Sequence, residues 1–232
     1  SFPSPNARTV EILDQWLRTI TDELADSPQA APWALNLVMH RSNPRRHDDL
    51  QLATKYRAPI VITALGSPSE AVEAVHAYGG KLYADVTTIE FARRAAEAGV
   101  DGLALVCAGA GGHTGQLSPF AFVEEVRQFF KGEIILSGAI GNGRAIRAAQ
   151  ILGADYVYMG TRFIPTEESL AQDDYKAMVV EASGSDIVTS DSITGVKANW
   201  LKGSLVKGGY DIDRMPPPGA INFLEAASDV KR

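Results

Sequence analysis

Six apolar runs alternate with helix-patterned segments between residues 33 and 159, and this rhythm restricts the fold of the 232-residue chain more than any other feature. The runs are Trp33–Val38, Pro59–Thr63, Lys81–Val86, Gly102–Cys107, Glu133–Ser137 and Asp155–Met159. They are nearly continuous rather than alternating, the pattern of parallel strands buried on both faces. Parallel neighbours need crossover connections, usually helices. The intervening segments predict them at 47–57, from Ser67 to near Gly79-Gly80, and over Thr88–Ala98, Pro119–Phe130 and Gly143–Leu152. Ser67-Pro-Ser-Glu70 reads as a capping box. A helix over 7–25 precedes the first run, with Val10, Leu13, Leu17, Ile20 and Leu24 at helical spacing and Asn6 as its N-cap. The fold is α/β, as an open doubly wound sheet or a (β/α)8 barrel.

The rhythm breaks at Pro165. Residues 167–183 read as a helix, Ile187–Asn199 as a Ser-, Thr-, Asp- and Gly-rich stretch, 203–219 as loop and Ala220–Val230 as a last helix. The expected organisation is a barrel domain over 1–164 and 219–232, with 165–218 inserted as a cap over the site.

Three of the runs end in glycine-bearing loops: Ala108–Gly115, Ser137–Gly143 and Met159-Gly160. Glycine lets a backbone approach a ligand closely, and a helix start such as Gly143 offers free N–H groups and a favourable dipole to an anion. In barrels the late strand ends commonly take phosphate. His113 alone in these loops has acid–base chemistry near neutral pH. Cys107 ends an apolar run and reads as a buried, inert thiol. Asp85 reads equally as a buried acid or a ligand contact, and Asn36 as a hydrogen-bonded strand amide or a ligand contact. His40 and His47 lack partners at metal-site spacing and read as solvated loop residues.

Other classes are disfavoured by composition. Net charge is −6, from 28 acids and 22 bases, which argues against nucleic acid or an anionic membrane as partner. No apolar run approaches ~20 residues, the length of a membrane span. Ser1–Asn6 has neither the basic start nor the apolar core of a signal peptide. The single cysteine forms no internal disulfide and fits a cytoplasmic protein.

The residues resemble the nitronate monooxygenases, formerly 2-nitropropane dioxygenases. The resemblance runs from about Ala34 to Asn199, carried by Ala110-Gly-Gly-His-Thr-Gly115, by Ser137-Gly-Ala-Ile140 with Asn142-Gly-Arg144, and by Leu152-Gly-Ala-Asp155 leading to Met159-Gly-Thr-Arg-Phe163. It implies a (β/α)8 barrel binding FMN without metal. It implies flavin contacts from Asn36, Gly111, Gly112, Ser137, Gly138, Ala139, Tyr158, Met159, Gly160 and Thr161, with His113 facing the ring and the substrate. The reaction implied is oxidation of an alkyl nitronate by oxygen to a carbonyl compound and nitrite. Its partners would be a small-molecule substrate, oxygen and further copies of the chain as a homo-oligomer.

The chain also departs from the family pattern. Val106-Cys107 stands where many relatives have Gln-Gly, Gly109 where they have Glu, and Ala139 at a frequent glycine. Six strands are counted instead of eight, so the family's first two strands are expected before Phe2 and a further segment after Arg232. Two other readings remain: a flavin-dependent enoyl-acyl-carrier-protein reductase, and a non-catalytic barrel acting as a binding protein.

Overall fold

The computed structural model describes residues 3–27 and 29–219. The last predicted helix, Ala220–Val230, therefore lies outside the described residues. Six strands form one sheet in the order β1-β2-β3-β4-β6-β7, and three short ones form a second, β5-β9-β8. The main strands are β1 Ala34–Val38, β2 Ile60–Ala64, β3 Lys81–Val86, β4 Gly102–Val106, β6 Glu133–Ser137 and β7 Tyr156–Tyr158. The pairs β1–β2, β2–β3 and β6–β7 are parallel, and helices alternate with the strands along the chain, the α/β pattern of barrel folds. The chain divides into two compact units: Ser1–Ala104 with Val126–Ile134, and Leu105–Glu125 with Ile135–Arg232.

The first unit holds α1 Pro3–Asn6, α2 Val10–Ala25, α3 Arg46–Lys55, α4 Ser69–His76 and α5 Ile89–Glu97 around β1, β2 and β3. β1 pairs with β2 and β2 with β3, both parallel, placing Asn36, Ile62 and Tyr83 in one row. Leu13, Leu17, Leu35, Val61, Val75 and Leu82 are fully buried. Each such side chain contributes roughly 1.5–3 kcal/mol through area removed from water. At the start of β4, a Cβ on Gly102 would lie 2.0 Å from the Tyr83 ring. Glycine there lets Tyr83 lie across the strand and donate its hydroxyl to Glu133, which also pairs with Lys81 at 3.0 Å.

Two helix starts differ from expectation. The cap of α2 is Thr9, whose side chain accepts from the Ile12 amide, while Asn6 ends the separate turn α1. The capping box at Ser67 does not form. Ser67 Oγ accepts from the Ser69 amide, but the Glu70 carboxylate is drawn to His47 at 2.7 Å and Arg46 at 3.4 Å. An ion pair between helices outweighs a local backbone contact there. His47 sits exposed in the first turn of α3.

The second unit holds β5 Gly112–His113, α6 Pro119–Arg127 as far as Glu125, α7 Gly143–Leu152, β7, α8 Asp173–Glu181, β8 Ile187–Ser190, β9 Ala198–Leu201 and α9 Lys202–Lys207. The helix expected over 167–183 is confined to α8. The stretches read as irregular contain a β8–β9 hairpin and α9.

Candidate functional site

Three strand ends meet within the second unit. After β4 the chain turns sharply: the Cys107 amide donates to the Ser137 carbonyl at 2.9 Å and the Ala110 amide to the Cys107 carbonyl at 3.3 Å. After β6, Gly138 adopts φ 132 and Ala139 the left-handed φ of 56. A side chain on Gly138 would strike the Ala108 carbonyl at 2.9 Å, so glycine is needed for the two turns to touch. The Ala139 amide donates to the Gly109 carbonyl at 3.0 Å and stitches them together. After β7, a Cβ on Gly111 would lie 2.1 Å from Thr161 Oγ1. The glycine-rich loop is thus wedged between the turn at Gly138-Ala139 and Thr161.

Ser137, Gly138, Ala139, Gly111, Gly112, His113 and Thr161 lie on these turns, with Tyr158, Met159 and Gly160 leading into Thr161. The Ala139 amide is already committed to Gly109, so that residue does not offer the N–H expected of it. The helix start of α7 commits two more amides. Asn142 caps it, its Oδ1 accepting from the amides of Arg144 and Ala145 at 3.0 and 3.1 Å. Side chains built on Gly141, Gly143 or Gly160 would meet nothing within 4 Å. Two backbone segments therefore border open space, and one of them, at Gly141 and Gly143, is a helix N-terminus, which suits an anion.

His113 is exposed and lies in β5, whose antiparallel partner is β9: Gly112 faces Asn199 and His113 faces Ala198. Sequence reasoning missed this ladder. A two-residue strand containing glycine carries no strand signal. Cys107 is fully buried, and burial pushes its thiol up to about 12, which leaves it inert at neutral pH.

The remaining two candidates belong to the first unit. Asn36 is buried on β1, and among the described residues its side-chain amide makes no hydrogen bond. Asp85, two residues beyond Tyr83 on β3, is half-buried, but its Oδ1 is shut off from solvent without a partner. Burial raises its carboxyl from 3.8 to about 7. Between about pH 4 and 7 the folded form therefore holds a proton that the unfolded form has lost. Stability contributed by the neutral acid falls as pH rises through that window, with a slope approaching ~1.4 kcal/mol per pH unit. Asp85→Asn is expected to flatten this slope and to be more stable than the parent above pH 7. Urea midpoints at pH 4, 5.5, 7 and 8 check it; parallel curves for the two proteins would refute it.

Fold and site together define an α/β protein whose glycine-bearing turns meet at the ends of its strands. The sequence pattern of the nitronate monooxygenase family matches residues 17–220, and the chain belongs to that family. A Mycobacterium tuberculosis relative, Rv1533, named as a monooxygenase, is 36% identical over 155 residues, covering 66% of this chain and 41% of its own length. The chain spans about half the length of the curated relatives it matches. FabK (M276A mutant) from Thermotoga maritima superposes with a TM-score of 0.68 at 28% identity, over 83% of this chain and 67% of that one. Nitroalkane oxidase from Streptomyces ansochromogenes superposes with a TM-score of 0.71 at 20% identity, over 81% and 66%, a likeness of fold.

Proposed function

We propose that the chain is the flavin-binding part of an FMN-dependent oxidoreductase that oxidises alkyl nitronates, with oxygen, to a carbonyl compound and nitrite. The observation that carries this reading is the junction of the three strand ends, tied by the Ala139 amide on Gly109 and by Thr161 against Gly111. The residues fit the cofactor. Gly141 and Gly143 leave room at the start of α7 for a phosphate, and Gly160 also faces open space. Gly111, Gly112, Ser137, Gly138, Ala139, Tyr158, Met159, Gly160 and Thr161 would line the flavin, and Asn36 is a further proposed contact. FMN held by these residues would supply one-electron redox chemistry between the anionic substrate and oxygen.

His113 works on the substrate. A nitronate carries its negative charge on two oxygens, and an imidazole N–H donated to one of them stabilises and orients the anion. With a neutral nitroalkane, the unprotonated imidazole takes the α-proton first. We place the protein in the cytoplasm; among the described residues no helix is long and apolar enough to cross a membrane.

The likeness to FabK favours a second reading, a flavin-dependent enoyl reductase. The two separate under anaerobic conditions. Bleaching of the flavin by propane-2-nitronate, with no bleaching by NADPH, is the expected result. The reverse would assign the reductase. A colourless protein that FMN does not reconstitute would leave only the non-catalytic reading.

A further inference from the structure

The imidazole follows two glycines, and the second of them, Gly112, has φ 73. A Gly-Gly hinge by itself holds a side chain loosely. The second unit contains a brace for it. Asn199 sits at the centre of the three-stranded sheet, opposite Gly112 of β5 on one side and Thr189 of β8 on the other. Its side chain spans the same gap. The Thr189 hydroxyl donates to Asn199 Oδ1, and Asn199 Nδ2 donates to the Ala110 carbonyl at 2.8 Å. Since the Ala110 carbonyl can only accept, the amide has one orientation, with its N–H toward Ala110 and its oxygen toward the Thr189 hydroxyl. Ala110 is buried and immediately precedes the hinge. Beyond the histidine, the Thr114 amide donates to the Lys197 carbonyl at 3.0 Å, and the buried Thr114 hydroxyl reaches back to the Cys107 carbonyl at 3.1 Å. The segment 110–114 is therefore fastened at both ends, mostly to β9 and the residue before it.

We infer that Asn199, anchored by Thr189, is a positioning residue that holds the Gly111-Gly112 hinge and thereby aims the His113 imidazole. The segment 187–201 then serves as a splint for the histidine loop. The inference rests on the proposed role of His113 for its effect on turnover, but not for its effect on the imidazole itself. Placement of a reacting group is worth large factors in rate, and small displacements lose them.

The test uses Asn199→Asp, which is isosteric and still accepts from Thr189 but offers no N–H to Ala110, together with Thr189→Val, which removes the hydroxyl that anchors the amide oxygen. The chain has four histidines, so the imidazole signals in a nuclear magnetic resonance spectrum are few enough to assign. Both variants are expected to shift or broaden the His113 signal while those of His40, His47 and His76 stay in place. Turnover of nitronate should fall about tenfold in Asn199→Asp with KM changed less than about twofold, and that loss should vanish in a His113→Asn background. An unchanged His113 signal in both variants overturns the inference. So does a loss of turnover that multiplies undiminished onto His113→Asn. A displaced His113 signal in a protein whose His113→Asn variant turns over normally would uphold the splint and reject the proposed role of the histidine.

Discussion

Replacing His113 by asparagine is expected to lower turnover of a neutral nitroalkane by about 10²–10⁴-fold, the usual contribution of a positioned acid–base group. The flavin should remain bound, because the amides and glycines proposed to hold it belong to other residues. Asparagine keeps an N–H donor but cannot accept and release a proton near neutral pH. The loss should therefore be smaller with preformed nitronate, where only anion stabilisation is needed, than with the nitroalkane, where a proton must also be removed. Steady-state rates with both substrates at matched flavin content decide the matter. Equal rates for variant and parent on both substrates would take His113 out of the chemistry.

The second large effect concerns retention of the cofactor. Gly160→Val adds a side chain where nothing of the protein lies within 4 Å, at a φ of −112 that valine tolerates. The fold should be little affected. If the phosphate occupies that space, the added methyl groups displace it, and FMN affinity should fall at least about tenfold, ~1.4 kcal/mol. Quenching of flavin fluorescence on titration reads this directly. Retention equal to that of the parent, with an unchanged melting temperature, would show that the phosphate lies elsewhere. Gly111→Val would be a poorer probe, because its side chain would collide with Thr161 Oγ1 at 2.1 Å and disturb the junction itself.

The six main strands were legible because strands such as Leu103-Ala104-Leu105 and Ile134-Ile135-Leu136 are apolar throughout, buried, and bounded by glycines. Their register along β1, β2 and β3 was not readable, since continuous apolar runs carry no face preference. Local chemistry predicted the helix end at Gly153, with φ 99, while Thr88, read as the first helical residue, is the cap. It failed at Glu70, where a tertiary ion pair took the carboxylate that a capping box would have used. The β8–β9 hairpin was illegible for a different reason. Its strands are four residues each, mixed in polarity and mostly half-exposed, and the partner of β9 is a glycine–histidine pair more than eighty positions earlier. Only the folded chain reveals that pairing. At the site, the glycine loops announced a close approach of backbones. Which amides remain for a ligand depended on geometry, as Ala139 shows by giving its N–H to Gly109.

A crystal structure of the protein with FMN tests the central claim most directly. The account predicts phosphate density within about 3 Å of amides at the start of α7 and at Gly160-Thr161, with the isoalloxazine ring beside His113. Phosphate density away from those turns, or a ring remote from His113, would contradict it.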